Sequence, residues 1–280
     1  MSNSPLATYV RYSPYYTKMT NKINTTITPH HVAGVASVEG IGSTAQTRGG
    51  AANYGIGNDG RIGLYIDESN RSHASSSSQN DSKAVTIEVS NSAAGGDWPV
   101  SDKALESLIE LCVDICKRNK IPYLNYTGDK TGNLTMHAWF GADNNYTGCP
   151  GQYLANKFPY IAREVNKRLG TNFVSPEKVS KYEIGDCVKV APNALYYNNY
   201  GVPSWLKNKK VYIRKVFGKY YDISVYEHGT SLTGRIHEKY LLSIEETKKP
   251  VPEAPKKEVE AEKAPETLKE PAKDNDTSAI

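Results

Sequence analysis

An alternation of strand and helix patterns over the first 170 residues most restricts the fold of this chain. Ala84–Val89 is a short, apolar, β-branched run, as expected for a strand covered on both faces. Asp102–Asn119 then carries apolar residues at spacings of three and four, and the same spacing recurs over Leu154–Leu169. Gly170 is the expected end of that second helix. This order predicts an α/β domain in which helices cover a sheet.

The pattern changes after a polar stretch at residues 171–181, which we interpret as a linker. Residues 182–244 contain short β-rich runs separated by turn signals, and about sixty residues of this kind predict a small all-β barrel. Residues 245–280 are almost entirely Lys, Glu, Pro and Ala, with no aromatic residue. Such a segment buries too little apolar surface to offset the entropy of ordering, so we expect a disordered tail.

Features of exported or membrane proteins are not visible in the sequence. No run of eighteen apolar residues occurs, and Met1–Pro5 lacks a basic segment followed by an apolar one. We therefore expect a chain made in the cytosol, with no membrane insertion. Four cysteines are too few and scattered for a disulfide framework. Cys112 and Cys116 lie on the apolar stripe of a predicted helix, so we interpret them as small apolar side chains buried in the core.

Residues suited to binding zinc occur at two places in the first domain. His137 and Cys149 lie twelve residues apart at the entrance to a helical pattern. His30 and His31 end a strand-like run and precede a flexible loop, a position at which α/β domains place ligands. Neighbouring side chains of a strand face opposite sides, so only one of this pair should reach a shared metal. Three protein ligands and one open position would make a catalytic zinc site.

Ordered motifs carry a family resemblance. They are His30–Gly34, Asn53–Arg61, His73–Ala74, Val85–Val89, His137 and Thr147–Gly151. In this order they resemble the zinc-dependent N-acetylmuramoyl-L-alanine amidases, the type-2 family that includes the peptidoglycan recognition proteins. The resemblance covers about residues 8–170, so residues 1–170 are interpreted as the catalytic domain, and it implies a mixed central sheet flanked by helices.

The resemblance implies a zinc cofactor held by His30, His137 and Cys149, with His31 as the alternative to His30. The metal would polarise the carbonyl between the lactyl group of N-acetylmuramic acid and L-alanine, and activate a water. Glu88 is the expected proton acceptor and donor, because related amidases place an acidic residue on this strand. Thr147 is expected to steady the oxyanion, although a loop hydroxyl that caps the next helix is the simpler interpretation.

The resemblance implies two residues that bind substrate, but it does not supply a catalytic tyrosine. Asn53 and His73 are expected to bind substrate. Many relatives carry a catalytic tyrosine directly before the residue equivalent to Asn53, where this chain has Ala52. Tyr54 lies one position further along, and a one-residue slip in a strand reverses the side chain's face. Tyr54 is therefore left out of the catalytic set.

Residues 182–244 resemble a bacterial SH3-like module that binds cell walls. They contain eleven aromatic residues, more than a barrel of this size needs for its core, which leaves some for an exposed platform. Residues 176–244 carry 11 Lys and Arg against 6 Asp and Glu, a net charge of +5 that suits an anionic wall. Binding of nucleic acid uses the same side chains. Because this segment follows an amidase-like domain in the sequence, we expect peptidoglycan as its partner and do not expect nucleic acid.

Together these features resemble a phage endolysin, which is made in the bacterial cytoplasm and reaches the wall once the membrane is disrupted. The alternative from a different class is a non-catalytic peptidoglycan-binding protein with the same fold. The sequence does not indicate an oligomeric state.

Overall fold

The computed structural model describes residues 2–140 and 146–244. A five-stranded sheet, called the first sheet, forms the centre of the N-terminal part. Its strands are β1 (Tyr9–Val10), β2 (Thr26–His31), β3 (Tyr54–Ile56), β4 (Ile62–Leu64) and β5 (Ala84–Val89). The order is β1-β4-β3-β5-β2, with β3 and β4 antiparallel and the other pairs parallel. The predicted mixed sheet is confirmed.

Four helices accompany this sheet. They are α1 (Val38–Ala45), α2 (Ser78–Asp81), α3 (Asp102–Asn119) and α4 (Gln152–Leu169). The Ser101 side chain accepts from the Ala104 N–H and caps α3, whereas α4 ends at Gly170 in the left-handed conformation, with φ of 70°. Both long helices therefore lie where the spacing of apolar residues predicts them.

The two faces of the first sheet pack against different helices. Val85, Ile87 and Val89 alternate onto one face and share a core with the apolar stripes of α3 and α4. Cys112 and Cys116 are buried in that core, as predicted. On the other face α1 lies close to Gly55, where an added Cβ would be 2.9 Å from Ile41. β2 and β5 therefore carry one apolar face and one face free for polar side chains.

A second sheet follows residues 171–181, which contain neither helix nor strand; their role as a linker stays a prediction. Its strands are β6 (Cys187–Val190), β7 (Lys210–Phe217), β8 (Tyr220–Ser224), β9 (Gly234–His237) and β10 (Leu241–Ser243). All pairs are antiparallel, in the order β10-β6-β7-β8-β9. The predicted all-β segment is thus an antiparallel sheet, while the predicted tail lies outside the described residues.

The two sheets belong to one compact unit that extends to Ile244. The second sheet has a core of its own, yet Phe217 and Tyr220 join the core of α3 and α4. Among the described residues, no helix is both long and apolar enough to cross a bilayer.

A buried ion pair ties the start of the chain to α3. Glu68, only 1% exposed, accepts hydrogen bonds from Arg118 at 2.6 and 3.0 Å and from the Tyr54 hydroxyl at 2.7 Å. The Tyr54 oxygen in turn accepts from the Ser4 N–H at 2.7 Å. Tyr54 therefore has a structural role on the apolar face of β3, consistent with its omission from the catalytic set.

We predict that Arg118→Ala lowers the free energy of unfolding by about 3–5 kcal/mol, because it leaves the Glu68 carboxylate buried without its counter-ion. Arg168→Ala is the matched control, since Arg168 also pairs through two nitrogens with a glutamate, Glu106, but on the surface. Its loss should cost less than about 1 kcal/mol. Urea unfolding of both variants measures the difference, and equal losses would contradict the prediction.

Candidate active site

Three side chains suited to binding a metal converge at the end of the first sheet. One ligand atom from each of His30, His137 and Cys149 lies within 4.8 Å of the other two. The Cys149 Sγ is 3.3 Å from His30 Nδ1, and the rings of His30 and His137 are 5.0 Å apart. These are the three residues that the sequence predicts as ligands, although 119 positions separate the first from the last.

Strand pairing places His30 and Glu88 side by side. β2 and β5 run parallel with His30 opposite Glu88, so both side chains leave the same face of the sheet. His31 projects to the other side, where its ring lies 5.3 Å from that of Trp98. The structure therefore selects His30 over His31 for the cluster.

The loops that carry the other two ligands are linked to each other. His137 begins a short 3₁₀ helix, His137–Trp139, and the Ala138 N–H donates to the Cys149 carbonyl at 2.9 Å. Gly151, next to the Cys149 loop, has φ of 82° and packs so closely that an added Cβ would lie 3.0 Å from Trp98. Glycine suits that position because it adopts this backbone conformation without strain.

Burial sets the protonation of the ligands. Desolvation is the largest cause that lowers the pKa of His30 well below its usual value, and it lowers the pKa of His137 to about 4. Both imidazoles are therefore neutral at physiological pH, the form that binds metals. The pKa of the Cys149 thiol is raised, mainly because burial removes the thiol from water and also because of the negative charge of Glu88. A divalent cation would reverse that effect by stabilising the thiolate.

Glu88 supplies a carboxylate with an unused oxygen. Its Oε2 is closed to solvent and has no hydrogen-bond partner, and desolvation raises the pKa of the carboxyl to about 8. A buried polar atom without a partner is uncommon in folded proteins and needs an explanation. Two imidazoles and a thiol beside this carboxyl group are a donor set that fits zinc.

Thr147 lies at the same loop but does not cap the following helix. Its hydroxyl accepts from the Cys149 N–H at 3.1 Å, whereas α4 begins after Gly151 without a side-chain cap. This hydrogen bond uses the hydroxyl as an acceptor and leaves its proton available to another group. The simpler interpretation of Thr147 as a helix cap therefore does not hold.

The two predicted substrate contacts have other partners in the structure. Asn53 is fully buried. Its side-chain oxygen accepts from the Thr86 N–H and hydroxyl, and its NH2 group donates to backbone carbonyls of the loop after β4. These partners hold the Asn53 side chain in this structure, and its role in binding substrate stays a prediction. His73 is half-buried, with its Nε2 2.9 Å from Thr17 Oγ1. Its role in binding stays a prediction.

Sequence reasoning missed two residues that support the cluster. The Ser75 hydroxyl lies 3.4 Å from His30 Nε2 and orients the ring so that Nδ1 faces Cys149. Its closeness to His73 and Ala74 in the sequence was the available signal. Arg235, on β9, donates to carbonyls of both ligand loops, and nothing in the local sequence marks it for that role.

A cleft of about 400 Å³ opens beside the cluster. Its lining includes His31, Trp98, Thr147 and Cys149 from the first domain, together with Arg214 and Lys215 from β7. The second sheet therefore contributes positive charge to the wall of the cleft.

Comparison with known families identifies the domain. The family described as N-acetylmuramoyl-L-alanine amidase (Amidase_2) matches residues 19–152, a range that holds all three predicted ligands and Glu88. Those residues form a domain of that family. The chain is accordingly an N-acetylmuramoyl-L-alanine amidase, an enzyme that acts on peptidoglycan.

Solved structures with distant similarity carry related descriptions. LysCS, an endolysin N-acetylmuramoyl-L-alanine amidase from Clostridium intestinale URNW, is 18% identical; the match covers 59% of this chain and 98% of LysCS, with a TM-score of 0.40. The PlyG catalytic domain is 17% identical, covering 60% of this chain and 98% of PlyG, with a TM-score of 0.44. No curated protein matches this chain. The assignment rests on the family match.

We predict that the metal-free protein loses stability as the pH falls from 7 toward 4. Burial lowers the pKa of His31 and of His137 to about 4, so the unfolded chain takes up protons near pH 6.5 that the folded protein does not bind. Each such histidine lowers the free energy of unfolding by up to about 1.4 kcal/mol for each pH unit of acidification between pH 6.5 and its lowered pKa. Urea unfolding with chelator present, at several pH values, measures the slope.

His31→Asn should flatten this dependence, because it removes one half-buried histidine with a lowered pKa that lies outside the cluster of His30, His137 and Cys149. His228→Asn is the control, since His228 is exposed. If the two variants show the same slope, burial of His31 is not the cause.

Proposed function

We propose that this amidase is an endolysin-type hydrolase that uses zinc to cut the bond between N-acetylmuramic acid and L-alanine. One observation carries the proposal. Two neutral imidazoles and a cysteine lie within 4.8 Å of one another, beside a buried carboxylate whose oxygen has no partner. A thiolate with two imidazoles favours zinc over harder cations such as magnesium or calcium.

The ion would be held by His30, His137 and Cys149. When bound, zinc polarises the scissile carbonyl and lowers the pKa of a bound water to roughly 7. Glu88 lies beside His30 on the same face. A bound cation would lower the raised pKa of its carboxyl, and the carboxylate would then accept the proton of the attacking water and return it to the leaving amine. The Thr147 hydroxyl, at the edge of the cleft, donates to the oxygen that becomes negative in the transition state.

The cleft beside the cluster suits a sugar joined to an acidic peptide. Trp98 offers an apolar ring edge or face to a sugar or stem residue, and Arg214 and Lys215 bring positive charge. Peptidoglycan stem peptides carry carboxylates, which pair with such cations. His73 is proposed as a further contact to the substrate.

We infer that the second sheet is an SH3-like barrel that binds the cell wall. Supporting this role, Tyr200, Trp205 and Tyr226 are each about 60% exposed, and exposed aromatic rings serve sugar and peptide ligands. The +5 charge of residues 176–244 would draw this region to an anionic wall. Synthesis in the cytoplasm of a phage-infected bacterium, followed by action on the wall after membrane disruption, is part of the same proposal.

The test of the reaction uses purified cell walls. We expect wall turbidity to fall while new alanine amino groups and muramic lactyl carboxyls appear in equal amounts. Removal of the metal with a chelator should stop the release, and added zinc should restore it. Binding to walls without release would instead support a non-catalytic binding protein.

Glu88→Gln should keep the metal and lose activity, by about 10²–10⁴-fold, because the amide cannot accept the proton. Metal content by atomic emission and turnover on soluble muropeptides are measured together. Glu110→Gln, an exposed carboxylate on α3, is the matched control and should keep full activity. Full activity in the Glu88 variant would remove this residue from the mechanism.

Trp205→Ala in the full chain should weaken sedimentation with cell walls several-fold while leaving hydrolysis of soluble muropeptides unchanged. The ring is 59% exposed, so its loss removes a contact surface and little of the core. Val174→Ala, which removes another exposed apolar side chain outside the second sheet, serves as the control. Unchanged wall binding by Trp205→Ala, or single-stranded DNA competing for the same site, would count against the wall-binding role.

A further inference from the structure

A fully buried ion pair lies where the second sheet meets the ligand loops. Arg235 on β9 and Asp222 on β8 are both 0% exposed. The Arg235 Nε donates to Asp222 Oδ1 at 2.7 Å, and Nη2 donates to Oδ2 at 3.2 Å. Burial of two charges is costly, and this arrangement is favourable only when the remaining hydrogen-bonding groups find partners.

The remaining guanidinium nitrogen joins the two loops that carry the predicted metal ligands. Arg235 Nη1 donates to the Ala138 carbonyl at 2.7 Å and to the Thr147 carbonyl at 2.8 Å. Ala138 directly follows His137, and Thr147 comes two residues before Cys149. One side chain of the second sheet thus restrains the backbone next to two of the three ligands.

The guanidinium is itself held in place by aromatic rings. Its central carbon lies 4.3 Å from the centre of the Phe217 ring and 4.6 Å from that of Tyr146. The Tyr146 hydroxyl donates to Asp222. Since the planar group is packed and paired, its two donated hydrogen bonds have a defined direction.

Further hydrogen bonds connect the second sheet to the segments next to the ligand loops. The Trp139 indole N–H donates to the Phe217 carbonyl at 2.8 Å. The Gln152 side chain, at the start of α4, donates to the Val216 carbonyl at 2.8 Å and accepts from the Val216 N–H at 3.0 Å. The residues just after both ligand loops are therefore fastened to β7.

We propose that Arg235 is a positioning residue of the metal centre, and that the second sheet completes that centre in addition to binding walls. This inference takes the metal site of the proposed function as its starting point. Arg235 touches neither metal nor substrate; it holds the His137 and Cys149 loops at the separation that the three ligands need. Outer partners of this kind change metal affinity or activity by about 10- to 100-fold.

The main test replaces both members of the pair, Arg235→Met together with Asp222→Leu. Apolar residues of similar size in place of a buried ion pair often preserve stability, so this variant removes the donated hydrogen bonds without leaving a buried charge. Arg235→Lys is the second variant, because it keeps a charge beside Asp222 but lacks the planar fork that reaches two carbonyls. Lys219→Met is the control, since Lys219 joins the second sheet to Asp129, away from the ligand loops.

The readouts are transfer of zinc to excess chelator, the absorption bands of the cobalt-loaded protein, and hydrogen exchange of residues 136–140 and 146–151. We expect zinc transfer to be about 10- to 100-fold faster in the double variant and intermediate in Arg235→Lys. The cobalt bands should shift and the loop amides should exchange faster. The Lys219 variant should match the wild type in all three readouts.

Two results would overturn the proposal. One is a folded double variant that holds metal and protects its loops as the wild type does. The other is an equal loss of metal in Lys219→Met, which would show a general effect of domain packing. Because these readouts do not use hydrolysis, a wild type that binds metal but cuts no walls would contradict the proposed function alone. If the double variant does not fold, Arg235→Lys decides by the same three readouts.

Discussion

Parallel pairing of β2 with β5 is the constraint on which the rest of the active site depends. This register sets His30 opposite Glu88, so a ligand and a carboxylate leave the same face at the ends of neighbouring strands. A shift of one residue would turn one of them to the opposite face, among the apolar side chains of α3 and α4. The register is strongly specified because Ile87 and its neighbours on that apolar face are fully buried.

Burial explains the chemistry of the site as well as its stability. Removal from water keeps the His30 and His137 imidazoles neutral and leaves the Glu88 carboxyl with a pKa raised to about 8. Without a cation, the same burial disfavours the Cys149 thiolate. A divalent ion would supply the charge that the surroundings lack, so the groups that cost stability in the metal-free protein are those proposed to bind the metal.

The second sheet is part of the same compact unit as the catalytic domain. Phe217 and Tyr220 extend the core of the first domain, and the charges of Arg214 and Lys215 line the cleft. Arg235 reaches further, to the backbone of both ligand loops. A wall-binding region placed in this way would be coupled mechanically to the centre that cuts the wall, unlike a module joined only by a flexible linker.

The sequence by itself determined the elements and the kinds of ligand. Strand β5 and helices α3 and α4 follow from local spacing of apolar residues and from glycine and capping signals. The motif order predicts His30 or His31, His137 and Cys149 as metal ligands. Tertiary structure alone decided between His30 and His31, enclosed Asn53 within the sheet and placed Arg235 against loops about ninety residues away in sequence. The spacing of apolar residues shows which face of a helix or strand is apolar, because that face is set by residues close together in the sequence. Contacts between distant elements depend on how the chain folds back, and they leave no period in the sequence.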